Sequence, residues 1–224
     1  MTRLEFLNQI AEQIVSVPCT HPLRVAIDGV DAAGKTIFAD ELTPLIESLG
    51  RTVIRSSVDY FHHPAEVRHQ TSSSSPQSYY YDSYDYDELI RMLLKPLGAA
   101  AGDRQYCVGI YDYRVEQTMG EAWQLAPTDA VLLFDGIFLQ RPELDDYWDL
   151  RIFLQIDFET SVERAALRDQ YLFGTEHQTR ERYLKRYVPG QQIYLDSVRP
   201  AEKADILIDH RDPQNPRLVD KGGT

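Results

Sequence analysis

The chain of 224 residues has only two cysteines, Cys19 and Cys107, and they do not show the spacing of metal ligands. Two free thiols in a reducing cytoplasm are therefore expected. No apolar run approaches the roughly 20 residues needed to cross a bilayer. The segment Met1–Val17 also lacks the basic start and apolar core of a signal peptide. We expect a cytoplasmic protein with no membrane partner.

Basic residues are also few, because 23 lysines and arginines stand against 35 acidic residues, for a net charge of −12. An acidic surface argues against nucleic acid or an anionic membrane as the main partner, since both attract basic patches. A small anionic substrate needs only a local group of arginines and stays open. The length fits one α/β domain with a small appendage, so residues 1–224 are expected to form a single domain.

Short apolar runs alternate with amphipathic segments, which predicts a parallel sheet covered by helices on both faces. The predicted strands are Leu23–Asp28, Thr52–Val58, Ala130–Asp135, Ile152–Asp157 and Ala204–Asp209, with a strand or hairpin arm at Gln105–Tyr111. The predicted helices are one within residues 1–20, one from Lys35 to Gly50, Asp87–Leu97 with Asp87 as its cap, and about Glu159–Tyr187 with a break at Phe173-Gly174. A polar tail is expected after the last strand.

A complete phosphate-binding loop follows the first predicted strand and precedes a helix. It consists of Gly29, Val30, Asp31, Ala32, Ala33, Gly34, Lys35 and Thr36, which match the pattern GxxxxGK[ST]. Glycines let backbone N–H groups curl around phosphate oxygens, and the helix N-terminus adds a favourable dipole. Lys35 is expected on the β and γ phosphates of ATP, and the Thr36 hydroxyl on Mg²⁺.

The P-loop alone does not distinguish a kinase from an ATPase, a GTPase switch or a motor. The guanine-reading Asn-Lys-x-Asp pattern is absent, because the only asparagines are Asn8 and Asn215 and neither fits it. Motors and ring assemblies usually need a longer chain. A small-molecule kinase is the interpretation that fits.

Two carboxylates lie at the ends of predicted strands, where ligands bind in open parallel sheets. Asp59 is the candidate to accept the proton of an acceptor hydroxyl, and Asp135, before Gly136, is the candidate to hold Mg²⁺. The alternative for each is an acid that only caps a turn.

Several further segments resemble the uridine kinase family, with phosphoribulokinase and bacterial pantothenate kinase as more distant relatives. The resemblance runs from about Leu23 to Asp212. Besides Gly29–Thr36, the matching segments in family order are Ser57–Phe61, Ser83–Asp87, Tyr111–Tyr113, Leu133–Phe138 and Arg164–Asp169.

This resemblance implies a P-loop NTPase three-layer fold with a five-stranded parallel sheet, a substrate-binding hairpin and a helical lid in residues 159–190. The stretch Tyr60–Tyr86 is either a loosely ordered surface insertion or a substrate-side flap, and the flap, a helix and the hairpin together would span residues 60–125. It implies transfer of the ATP γ-phosphate to a nucleoside 5′-hydroxyl, with uridine or cytidine as the acceptor. By position in the family's motifs, Asp59 is the catalytic base and Asp85 binds ribose hydroxyls. Tyr84 lies near the nucleobase, Tyr111 lines the nucleoside pocket and Arg168 belongs to the lid. Family members are often oligomers, so a homo-oligomer is also compatible with it.

Some family positions differ in this chain. The histidine that reads the pyrimidine edge after Tyr111 is replaced by the stretch Arg114-Val115-Glu116, and a tyrosine after Phe61 is His62. Arg164 is expected to contact substrate from the lid. The neighbouring family arginine, which contacts ribose, is replaced here by Ala165. The arginine-glycine-arginine turn of the lid is Phe173-Gly174-Thr175. Losing several polar donors should change acceptor preference strongly.

Three groups of residues allow two interpretations. Arg180, Arg182 and Arg186 suit either phosphate contacts or a solvated face with i,i+4 pairs. The tyrosines Tyr79–Tyr86 suit either stacking on a ring or a local apolar patch. His62, His63 and His69 lack a metal partner set and are expected at the surface.

Two alternatives to nucleoside phosphorylation also stay open. One keeps the fold and changes the acceptor to pantothenate, a riboside or a sugar phosphate. The other is a regulator that binds ATP without transferring phosphate, against which the presence of Asp59 argues.

Overall fold

The computed structural model describes residues 1–68, 75–99 and 104–220. His69 and most of the polar segment Thr71–Ser75 lie outside the described residues. Among the described helices, none is long and apolar enough to cross a membrane.

A parallel sheet forms the centre of the molecule, as predicted. Its five parallel strands, in the order β9-β8-β1-β7-β2, are β1 (Leu23–Gly29), β2 (Val53–Ser57), β7 (Val131–Asp135), β8 (Leu150–Gln155) and β9 (Ile206–Asp209). β1 and β7 are buried along their whole length, as the unbroken apolar run at Val131–Phe134 predicts for strands covered on both faces. The sheet sets the carboxyl ends of β1, β2 and β7 side by side.

A sixth strand, β10 (Arg217–Leu218), pairs antiparallel with β9. The expectation that Ala204–Asp209 is the last strand is therefore wrong, because this pair within the polar tail adds another. Two residues with exposed side chains give no periodicity to detect, because only backbone pairing with Ile208 and Asp209 makes them a strand.

Helices cover both faces of the sheet. The elements are α1 (Arg3–Ser16), α2 (Lys35–Ser48), α3 (Ala65–Arg68), α4 (Pro76–Tyr81), α5 (Tyr86–Leu89), α6 (Lys95–Leu97), α7 (Phe158–Arg168), α8 (Gln170–Phe173), α9 (Glu176–Arg182), α10 (Val188–Val198) and α11 (Pro200–Lys203). π-helical turns at Ile90–Leu94 and Tyr183–Tyr187 join α5 to α6 and α9 to α10, and 3₁₀ turns lie at Val58–Phe61 and Asp145–Tyr147. The predicted lid region is helical and is interrupted at Phe173-Gly174, as expected.

The predicted strand Gln105–Tyr111 is instead two short strands. β3 (Gln105–Tyr106) pairs with β6 (Gln124–Leu125), and β4 (Tyr111–Asp112) pairs with β5 (Gln117–Thr118), both antiparallel. This makes the hairpin that the family resemblance implies.

The helix predicted at Asp87–Leu97 begins one residue earlier and has a different cap. Asp85 is the N-cap of α5, because its carboxylate accepts a hydrogen bond from the Glu88 backbone N–H. The assignment of Asp87 as the cap was wrong, since both acids suit that position by type and only backbone geometry separates them.

Candidate active site

The P-loop lies between β1 and α2 and is shaped by its glycines. Gly29 has φ +152, and a Cβ there would lie 2.6 Å from the Leu154 carbonyl oxygen. Gly34 has φ +91 and is the N-cap of α2, with the His210 ring close by. Both positions therefore need glycine, and the loop amides lie at the N-terminus of a 14-residue helix, which favours an anion.

Lys35 lies within this loop and is largely buried. Its Nζ donates hydrogen bonds to the carbonyl oxygens of Gly29 (2.9 Å) and Val30 (2.8 Å). Burial lowers the pKa of Lys35, and the charges of Asp31, Asp28 and Asp135 oppose that effect. The ammonium is thus held in a carboxylate-rich environment beside the loop.

Thr36 and Asp135 form an oxygen pair at the end of β7. The Thr36 hydroxyl donates to Asp135 Oδ2 at 2.6 Å, and Arg55 donates to Asp135 Oδ1 at 2.9 Å. β7 lies between β1 and β2, which aligns Asp135 with Ile27 and Ser57. A hydroxyl and a carboxylate oxygen are ligands that suit Mg²⁺, so this donor set fits the metal predicted for it.

Asp59 lies one strand away, in the 3₁₀ turn after β2. The Ser57 hydroxyl accepts a hydrogen bond from the Asp59 backbone N–H and fixes the start of the turn. The side chain is 44% exposed, so it stays accessible to a ligand, and neighbouring groups also surround it. Desolvation there, with the charges of Asp135 and Asp31, raises the pKa of Asp59 to about 6, while Lys35 and Arg114 oppose the rise. Asp59 and the P-loop therefore share one electrostatic environment.

His62 adjoins Asp59, with Nε2 3.8 Å from Asp59 Oδ1. Its ring lies between Tyr84 and Tyr113, at centroid distances of 4.4 and 4.8 Å. Nδ1 is 3.0 Å from the Ser83 carbonyl oxygen, which can only accept, so Nδ1 carries the proton. Burial lowers the pKa of His62 to about 3, so the ring is neutral. It is a half-buried member of an aromatic group, not the surface histidine that was expected.

Asp85 and Tyr111 are nearby but already have protein partners. Asp85 uses Oδ1 for the helix cap, and its Oδ2 lies 3.6 Å from His63 Nδ1. The Tyr111 hydroxyl donates to Glu116 Oε2 at 2.7 Å, and Arg68 donates to Glu116 Oε1 at 2.5 Å. Within the described residues, Asp85 Oδ2 makes no hydrogen bond as short as that of Oδ1, whereas Tyr111 and Arg68 of α3 share the carboxylate of Glu116 in the hairpin.

Arg168 lies at the end of α7, near enough to the P-loop for its charge to act on Lys35. Two hydrogen bonds, of 2.7 and 2.9 Å, join its guanidinium to Asp169, whose Oδ2 also accepts from the Tyr183 hydroxyl at 2.6 Å. These bonds fix the orientation of the guanidinium.

Arg164, the second arginine proposed to contact substrate from the lid, is hydrogen-bonded to backbone. Its guanidinium donates to the carbonyl oxygens of Ala32, His210 and Arg211. It therefore joins the P-loop to the loop after β9, and its contact with substrate stays a prediction. The position of a residue in a helix predicts the face from which its side chain projects, but not the carbonyl oxygens to which it donates.

The other lid arginines serve local contacts. Arg180 pairs with Glu176 at i,i+4, and Arg182 lies over the Phe173 ring. Arg186 lies over the rings of Tyr79 and Tyr187. These contacts favour the structural interpretation of the three arginines. The tyrosines Tyr79, Tyr80, Tyr84 and Tyr86 are likewise part of the apolar core.

Sequence reasoning missed the residues that hold the P-loop from outside. Asp28, fully buried at the end of β1, accepts hydrogen bonds from the Gly29 N–H, Tyr194 and Gln140. Gln191 and the Tyr79 hydroxyl both donate to Asp31 Oδ2. An acid inside a buried strand was a visible signal for Asp28, whereas nothing in the sequence links α10 to the loop.

Comparison with known proteins agrees with this geometry, although no protein-family model matches the chain. It is 27% identical over 197 residues to uridine-cytidine kinase B of Dictyostelium discoideum, covering 84% of this chain and 74% of that one. It is 25% identical over 194 residues to the uridine kinase of Bacillus thuringiensis strain Al Hakam, covering 84% and 85%.

Solved structures show the same fold. A structure described as a possible uridine kinase from Bacillus stearothermophilus superposes with a TM-score of 0.71 at 21% identity, covering 92% of this chain and 96% of that one. D-glycerate 3-kinase from Cryptococcus neoformans gives a TM-score of 0.62 at 14% identity, covering 96% and 97%. The resemblance to uridine kinases is confirmed, and these relatives support a small-molecule kinase with the P-loop kinase fold.

Proposed function

We propose that this uridine kinase-like P-loop kinase transfers the γ-phosphate of ATP, with Mg²⁺, to the 5′-hydroxyl of a nucleoside. The observation that carries the proposal is the shared environment of Asp59, the P-loop lysine and the Thr36–Asp135 pair. A binding protein without catalysis has no need of a carboxylate with a raised pKa beside the phosphate loop.

Each group of residues in the site has a different role in the proposed transfer. The loop amides and Lys35 hold the phosphates, and Thr36 with Asp135 would hold Mg²⁺, which neutralises charge on the phosphates when bound. Asp59 accepts the proton of the acceptor hydroxyl and orients its oxygen toward the γ-phosphorus. Arg168, fixed by Asp169, stabilises charge on the phosphoryl group that moves.

The charge of the acceptor side supports an uncharged acceptor. The negative charges of Asp31 and Asp135 both raise the pKa of Asp59 there. A sugar phosphate would bring two more negative charges beside them and be repelled, whereas a nucleoside brings none. Neutral His62 between Tyr84 and Tyr113 gives an aromatic surface for a planar base.

A second candidate acceptor has its own support. The pyrimidine-reading histidine of the family is absent here, and the fold is shared with a glycerate kinase. The second candidate is therefore a neutral riboside, or a small hydroxy acid such as pantothenate that meets Arg114.

An acceptor screen tests both. Uridine, cytidine, other ribosides, pantothenate, glycerate and a sugar phosphate would each be offered with Mg·ATP, and ADP release would be followed. We expect a nucleoside to give the largest kcat/KM. The Asp59→Asn variant should lose about 10²–10⁴-fold of that rate while still binding ATP, and Lys35→Ala should lose turnover with its fold intact.

Each other outcome has a distinct meaning. Turnover only of pantothenate or glycerate would overturn the nucleoside assignment and keep the kinase. ATP binding with no acceptor-stimulated loss would favour an ATP-binding regulator. A near-normal rate in Asp59→Asn would remove Asp59 from catalysis.

A further inference from the structure

A second group of chemically reactive side chains lies at the opposite end of the sheet from the P-loop. The loop between α1 and β1 and the residue before β8 bring together Cys19, His21 and Asp149, whose ligand atoms all lie within 4.8 Å of one another. The three line a surface depression with Val17, Pro18 and Thr20. None of them takes part in the proposed phosphotransfer.

The distances between these atoms suit a tetrahedral metal ion. Cys19 Sγ is 3.5 Å from His21 Nε2, and that nitrogen is 3.8 Å from Asp149 Oδ1. Around Zn²⁺, bonds of about 2.3 Å to sulfur and 2.0–2.2 Å to nitrogen and oxygen place neighbouring ligand atoms about 3.3–3.6 Å apart. Only small movements would bring the three atoms onto one ion.

The orientation of His21 is also that of a metal ligand. Its Nδ1 lies 3.0 Å from the Pro22 carbonyl oxygen, which can only accept a hydrogen bond. Nδ1 therefore carries the proton and Nε2 keeps its lone pair. Metal-binding histidines in proteins almost always donate their other ring N–H in this way. Cys19 Sγ lies 3.3 Å from Nδ1 and 3.5 Å from Nε2, so the thiol has to turn toward Nε2 to share an ion with it.

Arg24 fixes the third ligand. Its backbone N–H and Nε donate to Asp149 Oδ2 at 2.8 and 3.0 Å, and its Nη2 donates to Oδ1 at 3.0 Å. The guanidinium holds the carboxylate in place and neutralises its charge. A hard cation that depends on carboxylate charge, such as Mg²⁺ or Ca²⁺, is disfavoured here, while thiolate and imidazole donors favour Zn²⁺.

We propose that Cys19, His21 and Asp149 bind one Zn²⁺ ion, with water as the fourth ligand. The ion links the α1–β1 loop to the start of β8. No sequence pattern indicates this site, because a Cys-x-His pair needs a third ligand that only the sheet brings close.

The test uses the full chain, stripped of metal and free of any histidine tag. Co²⁺ is added in excess Mg²⁺, and the thiolate-to-cobalt charge-transfer absorption is recorded, since Thr36 and Asp135 offer no thiolate. Zn²⁺ affinity is measured by competition with a chromophoric chelator. We expect one equivalent of each metal, with Zn²⁺ displacing Co²⁺.

The variants separate the site from other causes. Cys19→Ser should lose the charge-transfer band and bind Zn²⁺ at least about 10-fold more weakly, and His21→Gln should weaken binding similarly. Cys107→Ala, which removes the other cysteine, should keep both properties. Circular dichroism checks that each variant is folded. A wild-type protein without the band, or a band that survives Cys19→Ser, would overturn the assignment and leave a hydrogen-bonded thiol.

Discussion

The raised pKa of Asp59 predicts an acid limb in the pH–rate profile. A carboxylate that accepts the acceptor's proton must be ionised, and kcat/KM for the acceptor reports the enzyme before the acceptor binds. Desolvation and the neighbouring charges of Asp135 and Asp31 raise the pKa of Asp59 to about 6. The value of kcat/KM should therefore be at its maximum above this pKa and fall as the pH drops through it.

The expected size follows from that value. With a pKa of about 6, about 90% of the Asp59 carboxyl groups are ionised at pH 7 and about 10% at pH 5. The kcat/KM for the acceptor should thus fall about tenfold between pH 7 and pH 5. Stopped-assay initial rates at saturating Mg·ATP, measured every half unit of pH, would show it.

Asp31→Asn distinguishes Asp59 from other groups that titrate in this range, such as ATP itself. Asp31 raises the pKa of Asp59, while its Oδ2 only accepts hydrogen bonds from Tyr79 and Gln191, which the asparagine oxygen can also accept. The variant should keep its fold and shift the acid limb to lower pH. A flat wild-type profile from pH 5 to 7, or a limb that Asp31→Asn leaves in place, would refute the reasoning.

Three further predictions concern the surroundings of the site. Burial raises the pKa of Asp28 from 3.8 to about 6, so the folded protein keeps a proton that the unfolded chain has released. The free energy of unfolding should therefore fall by about 1 kcal/mol more between pH 5 and pH 7 than in Asp28→Asn, as measured by urea unfolding. Gly136→Ala places a Cβ 2.4 Å from a valine methyl group of the Asp59 turn and should cost about 1–3 kcal/mol in thermal unfolding, whereas Gly120→Ala, in open space, should cost little. Arg168→Lys should lower kcat about tenfold or more with an unchanged melting temperature, because a lysine cannot make the bidentate contact that fixes the guanidinium.

The parts of the fold that follow from local pattern could be predicted from the sequence. Buried parallel strands need unbroken apolar runs, so Val131–Phe134 is recognisable without a structure. The P-loop needs glycine at two fixed places for steric reasons, and these leave a fixed spacing. Asp59 and Asp135 follow from the rule that parallel strands present their ends at one edge.

What failed depends on contacts between distant segments. The cap of α5 is the one local failure, because Asp85 and Asp87 both suit the position by residue type and only backbone geometry selects Asp85. β10 exists only through its pairing with β9. The Cys19–His21–Asp149 group joins residues that are far apart in sequence. No periodicity or short motif contains such information.

Two helices, α7 and α10, hydrogen-bond to the first half of the P-loop. Gln191 on α10 donates to Asp31 and accepts from its backbone N–H, and the Ser161 hydroxyl on α7 donates to the Asp31 carbonyl. Tyr194, also on α10, donates to the buried Asp28 just before the loop. A shift of α10 would break the hydrogen bonds to Asp28 and Asp31, and a buried group left without a partner costs about 1–3 kcal/mol. We therefore expect α7 and α10 to stay in place when ATP binds, and any closure of a lid to move the segment between them, which begins after Arg168.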